Sequence, residues 1–459
     1  MKSSLPTCKT SKSLVLAAVL TGSVLSQGTM AQQQSETRHI SLAQAIDLAV
    51  KQNRSVQLAS QSIDQMTTKK AEAKSDYLPQ LKVDGKVLHV TQLAGIEIPA
   101  GSFGSFPSAG VVPSQALFIG QGTDTAYAAG VTLEQPITQL WRIHQANVVA
   151  SQNVRIARTR FDQTRDEIAL KVRQVYYGVL INAKKLQASQ DALNAAKVKL
   201  TESERDVEHG NALQLANYQA QASLLQATQN SLIYTLQGED LRRQLDDLLG
   251  LPLSTRLELD ESVAANALDV PLRDDAVRSA IAQNHDLIAA RQTLAMAKAG
   301  LSAARDAYIP DLTGLSKYSY QSGVPLLVHN FGTFGFTLNY DLFDGGRRKS
   351  RLRSAEVTVS SAEVMLAKLQ SEVSVQIESA YDRVEQIRQL EDVATQTVKV
   401  REEALRISDR QLEQSTVLNS VRSQARADLG AANAALLETD LQLSLAVADL
   451  RRMIGILSQ

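Results

Sequence analysis

The side chains best suited to proton transfer or metal ligation are six histidines, His39, His89, His144, His209, His285 and His329, and they are dispersed along the chain. None falls into a His-Glu-x-x-His or comparable ligand spacing, and no phosphate-cradling glycine loop or nucleophile elbow accompanies them. His209 occupies the one suggestive place, a predicted helix-hairpin tip, where the ordinary reading is a solvated turn residue. The paired carboxylates Asp246-Asp247 stand beside Arg242-Arg243 at helical spacing, the pattern of surface ion pairs rather than of an acid–base couple. The single cysteine, Cys8, lies in the leader described next, so a processed chain has no disulfide, thiolate metal site or cysteine nucleophile. These residues predict no enzyme activity and no cofactor or metal.

Lys2, Lys9 and Lys12 precede the apolar run Leu14 to Leu25, and Thr29-Met30-Ala31 offers small residues where a signal peptidase cuts. Residues 1–31 therefore read as a cleaved secretory signal. The alternative, a membrane anchor, needs an apolar run of about 20 residues, and polar Gln32-Gln33-Gln34 follows instead. Cys8 precedes the apolar run rather than following it, so it cannot carry a lipid anchor. Removing the three leader lysines from a formal charge of +0 leaves −3, and no basic face of the kind nucleic acid requires is visible. With 4% aromatic residues and 10 prolines, the chain suits long helices better than a thick globular core.

Tyr77-Leu78-Pro79-Gln80-Leu81 recurs as Tyr308-Ile309-Pro310-Asp311-Leu312, and Gln52-Asn53 matches Gln283-Asn284 at the same offset of 231. Farther on, Thr132-Leu133 matches Thr337-Leu338, Tyr176 matches Tyr381, Gln219-Ala220 matches Gln424-Ala425 and Gly250 matches Gly455, all at 205. The chain is thus duplicated, and the first copy holds a 26-residue insertion. It is placed in the Gly-, Ser- and Pro-rich stretch from Gly95 to Gly122, which shows no helical or strand period over most of its length.

Each copy predicts one amphipathic helix (Ser41 to Asp76; Leu272 to Ala307) that stops at its Pro pair. Two strands follow, around 82–136 in the first copy and 312–343 in the second. Phe334, Phe336, Leu338, Tyr340 and Leu342 alternate with small or polar residues, which fits either a membrane barrel or a half-buried soluble strand. Long helical hairpins complete the copies, over 139–250 and 347–457. In the first, Val172, Val179, Leu186, Leu193, Leu200 and Val207 keep the seven-residue period of a coiled-coil seam. The second reads Ile377, Val384, Glu391, Val398, Leu405 and Leu412, with Glu391 departing and Leu390 beside it. About 65 residues at 1.5 Å each give a helix of about 100 Å, which must project from the sheet. Gly210 closes the first hairpin, and the second turns near Glu413 to Thr416. The domain reading is 1–31 leader, 32–265 first repeat and 266–459 second repeat.

The duplicated Tyr-x-Pro-x-Leu helix ends, the strand exit Asp341-Leu342-Phe343-Asp344-Gly345-Gly346-Arg347-Arg348 and the repeat end Leu249-Gly250-Leu251 resemble the TolC-like outer-membrane efflux proteins over nearly the whole processed chain. The resemblance implies a mainly α fold with a small β part. Its duplicated hairpins would form an α-barrel, and four strands per chain would enter a twelve-stranded transmembrane β-barrel in a homotrimer. It also implies an outer-membrane location reaching into the periplasm, contact with outer-membrane lipid, and a passive duct serving a periplasmic adaptor (membrane fusion protein) and an inner-membrane pump in efflux or type I secretion. Nucleic acid is not a partner. Independently of the family, four strands cannot close a membrane barrel, which starts at about eight.

The residues here depart from the family at the second tip. Aspartates narrow the pore of well-known members, and the corresponding places are Val421 and Gln424. Arg406, Arg410, Arg422 and Arg426 surround them, as a solvated helix face, a basic constriction or an adaptor-docking face. Candidate aperture or docking residues are therefore His209, Gly210, Arg410, Val421, Arg422 and Gln424. The alternative to a channel is a periplasmic adaptor or coiled-coil scaffold, which would carry one hairpin between compact β domains rather than two.

Overall fold

The computed structural model describes residues 38–120, 122–253, 255, 257–260, 272–323 and 328–456. The leader lies outside the described residues. In the first copy a short strand β1 (Arg38–Ile40) precedes helices α1 (Leu42–Gln52) and α2 (Arg54–Ser75). Then come β2 (Gln80–His89), four short strands β3 (Gly95–Ile98), β4 (Ser105–Phe106), β5 (Gly110–Val111) and β6 (Leu117–Gly120), and β7 (Thr125–Pro136). The hairpin α3 (Leu140–Glu208) and α4 (Gln214–Leu249) leads to β8 (Leu257–Leu259). The second copy repeats the plan with α5 (Arg273–Gln283), α6 (His285–Asp306), β9 (Asp311–Ser322), β10 (Asn330–Asn339), α7 (Arg347–Glu413) and α8 (Asn419–Ile454).

The single opening helix expected in each copy is two helices, and the break falls on the repeated asparagine. Asn53 Oδ1 accepts from Ser55 N (2.9 Å), and Asn284 Oδ1 accepts from Asp286 N (2.9 Å) and Leu287 N (3.2 Å). Each asparagine therefore restarts the helix as an N-cap. Its amide also reaches across the fold: Asn53 Nδ2 donates to Leu248 O (3.1 Å) and Asn284 Nδ2 to Met453 O (2.9 Å). Those carbonyls belong to the last turns of α4 and α8, so one side chain caps one helix and clamps the end of another. Gly250 (φ +69°) and Gly455 (φ +84°) end the clamped helices. A Cβ on either would meet the backbone carbonyl oxygen of Gln52 (3.1 Å) or Gln283 (2.5 Å), so glycine is required twice over, for its φ and for the approach.

The insertion also differs from expectation, since β3 pairs with β6 and β4 with β5 as a two-storey ribbon. Ile96, Ile98, Leu117 and Ile119 share one of its faces through the register, but over so few residues this leaves little period in the sequence. The main sheet is antiparallel with order β10-β9-β7-β2, so β2 and β10 are its open edges.

The helices form a layer joined through α3. On the sheet side α3 packs between α2 and α6, and α7 lies beyond α6. On the tip side it packs between α4 and α8, and α7 lies beyond α8. The seam residues Val172, Val179, Ile377, Val384 and Val398 are buried, as their seven-residue period requires. Tyr176 anchors the middle of the layer: its hydroxyl lies 3.1 Å from the carbonyls of Ile40 and Asp260. Burial pushes that phenol up to about 12. The small parallel pair β1-β8 is thereby fixed to α3.

Candidate functional site

The sheet has two chemically distinct faces. The register sets Leu81, Val83 and Val87 of β2 level with Leu133, Val131 and Tyr127 of β7, and continues through Leu312 and Tyr318 of β9 to Phe334, Phe336 and Leu338 of β10. Most of this apolar face is exposed, Phe334 to 91% and Val83 to 78%. Alternation puts Lys82, Asp84 and Lys86, Thr132 and Glu134, Lys317, Ser319 and Gln321, and Thr333 and Thr337 on the opposite face. Lys82 pairs there with Glu134 (2.6 Å) and Lys317 with Asp84 (3.5 Å). The strands are 10, 12, 12 and 10 residues long, enough to cross a bilayer when tilted. Among the described residues no helix is long and apolar enough to do so.

The candidate tip residues are distributed between two separate turns. His209 caps α3, its Nδ1 hydrogen-bonded to Arg205 O (2.6 Å), and Gly210 follows with φ +74°. Arg410 lies exposed in the last turn of α7, and its carbonyl accepts from Gln414 N (3.1 Å). Arg422 bonds Asp409 (2.8 Å), tying the start of α8 to the end of α7. Gln424 donates to Asp428 (2.8 Å), which also receives Arg401 (2.9 Å). Val421 and Gln424 line a shared cavity of about 410 Å³ together with Ser420, Ser408 and Lys199. The structure thus gathers Val421, Arg422 and Gln424 with Asp409 and Asp428, while the bonds of His209 and Gly210 run back to their own helix.

Contacts between the two hairpins escaped sequence reasoning. Lys185 pairs with Glu438 (2.8 Å), Arg426 with Asp191 (3.8 Å), and Ser420 N donates to Glu202 (3.1 Å). Their residue types are ordinary on exposed helices, so nothing in the sequence marks them. The reading of Asp246 is corrected outright. It is 3% exposed, and burial lifts its carboxyl to about 6, while Arg243 pairs with Glu239 and Asp240. A helix facing the β1-β8 corner has no solvent side at that position. Glu391, the seam departure, lies near Asp440 on α8, whose carboxyl is raised by burial and, to a lesser degree, by the Glu391 charge. Leu390 beside it is exposed.

Asp166 on α3, 2% exposed, meets His285 on α6 (Oδ2 to Nε2, 3.2 Å) and Arg165 (3.6 Å). This joins the two copies at mid-height. The hydrogen bond to Asp166 raises the His285 imidazole above its ordinary value, against the opposing effect of burial. A raised folded-state value means that the pair stabilises fully below about pH 6.5 and loses this as pH rises through the folded value. At mildly acidic pH the native protein should melt about 1 °C above His285→Gln for a pair worth about 1 kcal/mol in a chain of this length, and the gap should close on the alkaline side. Thermal unfolding followed by circular dichroism tests this; a gap that widens with pH would contradict it.

The profile of the outer membrane efflux protein family matches residues 45–251 and 276–456, one span in each copy. No curated protein matches the chain by sequence. Among solved structures it is similar to the CmeC outer membrane channel of Campylobacter jejuni (16% identity, TM-score 0.72, covering 91% of this chain and 87% of that one). It is similar also to the MtrE outer membrane channel of Neisseria gonorrhoeae (17%, 0.71, 91% and 89%). The outer membrane protein VceC of Vibrio cholerae gives 16%, 0.69, 90% and 96%. At these identities the likeness is one of fold.

Proposed function

This chain belongs to the outer membrane efflux protein family, and from that premise we propose that three copies close into one duct that receives cargo from a periplasmic adaptor and an inner-membrane pump. The chain is an outer-membrane efflux channel protein reaching into the periplasm. The reading as a periplasmic adaptor or scaffold gives way, because both copies match the family and the strands form one two-faced sheet. The observation that supports ring closure is a pair of unmatched edges. β2 and β10 each leave a row of backbone groups without a ladder partner, which hydrocarbon does not tolerate. The helix layer has open edges as well. Tyr218, Leu225 and Leu232 form an exposed row on α4 at seven-residue spacing, and Val393, Val400 and Ile407 form another on α7. Both rows begin within about two turns of the tips and climb in step. Tyr218 of one copy would thus meet Ile407 of the next, Leu225 Val400, and Leu232 Val393, as knobs of a coiled-coil seam.

Because the chain's one cysteine is Cys8, a Leu225→Cys, Val400→Cys double variant tests the seam directly. Oxidation should link each copy to both neighbours and give covalent trimers on a non-reducing gel, and neither single variant should do so. Monomers alone from the double variant would refute the pairing. Val421 and Gln424 are the proposed aperture, at the tips where an adaptor would dock. Gln424→Asp would put a second carboxylate beside Asp428 in each copy, attracting divalent cations. In planar bilayers it should show stronger divalent block from the periplasmic side than the native channel. Equal block would remove Gln424 from the aperture.

A further inference from the structure

The polar face of the sheet, which faces the lumen in the proposed ring, is not charge-balanced along its length. At the end nearer the helices Lys82 is held by Glu134, and Arg142, just past β7, by Asp311 (3.1 Å). One step outward Asp84 is taken by Lys317 from two strands away. Gly130 on the intervening strand makes this reach possible: a Cβ there would lie 3.0 Å from Lys317 Cε and 3.3 Å from Asp84 Oδ1. The pair lies flat across that bare backbone, so the Asp84 carboxylate is committed.

Lys86 is the next lumen-facing residue of β2 outward from Asp84. It is exposed, and no acid pairs with it among the described residues. Its register partner on β7 is Ala128, and beyond that lies Gln321 on β9. Closing the ring by joining β2 to a neighbour's β10 would not neutralise it, because the same face of β10 carries Phe331, Thr333, Gly335, Thr337 and Asn339. The next acid outward, Asp124, stands beyond the start of β7, about 13 Å from the level of Ala128 at strand rise. That exceeds the Debye length of about 10 Å at 0.1 M salt.

We infer that Lys86, repeated at one height around the barrel, biases the duct toward anionic solutes, those carrying carboxylate or phosphate groups. The inference rests on the channel reading, and its failure is separable from failure of that reading. An unpaired cation on the wall of an aqueous passage raises the local concentration of anions and repels cations. The opposite charge at the same place should reverse the bias, and high salt should suppress it.

The test is the reversal potential of the purified full-length protein in planar bilayers across a KCl gradient. The native channel should reverse on the chloride-selective side, Lys86→Gln near neutrality, and Lys86→Glu on the potassium-selective side. The spread between variants should shrink at about 1 M salt, where the Debye length is about 3 Å. A Lys82→Gln, Glu134→Gln double variant, which removes a neutral pair from the same face, should leave the native value unchanged. Channels that form but reverse at the same potential in the native protein and in Lys86→Glu overturn the assignment of Lys86 while leaving the duct standing. Absence of any conductance overturns the channel reading itself.

Discussion

A sheet of four strands with one apolar face has two needs that one chain cannot meet. Its apolar face must leave water, and its edge backbone groups must find partners where water is absent. In hydrocarbon an unpaired N–H or C=O costs several kcal/mol, so the ladder rows on β2 and β10 dominate the energetics of insertion. Antiparallel closure against further copies satisfies both needs at once. In the proposed ring the same closure is reproduced along the helix layer.

The duplicated latch provides the alignment. Asn53 and Asn284 each cap one helix and hold the end of another, and Gly250 and Gly455 let the backbones approach closely enough for this. Both hairpins thereby leave the middle of the molecule in equivalent positions, and their tips stand level. The level tips in turn put the α4 row at the height of the α7 row. A shift of one helical turn, about 5.4 Å, is about half the spacing of either row and would leave each apolar side chain midway between two partners. Within the chain the Asp166–His285 pair and the ion pairs between α3 and α8 hold the copies in the same register.

Much of the architecture could be read from the sequence because it is written in long periods. The offsets of 231 and 205 mark the duplication, and the heptads of α3 and α7 mark the helices. The Phe334–Leu342 alternation shows that strands exist but not which medium covers them. The helix breaks are not legible even at the repeated Gln-Asn pair, since an asparagine in an amphipathic pattern does not announce a cap. The burial of Asp246 is not legible because a carboxylate near arginines looks alike on a wet or a buried helix face. The tip ion pairs and the committed Asp84 were invisible because their partners come from distant strands and helices. Charge pattern alone cannot pair residues that only the fold brings together.

The central claim is that the unmatched edges of sheet and helices are two sides of one closed ring of three chains. It is tested most directly by the mass of the detergent-solubilised, folded particle, measured by native mass spectrometry. The account predicts three chains per particle, with no monomer that retains the sheet. A stable folded monomer, or a ring of any other number, would contradict it.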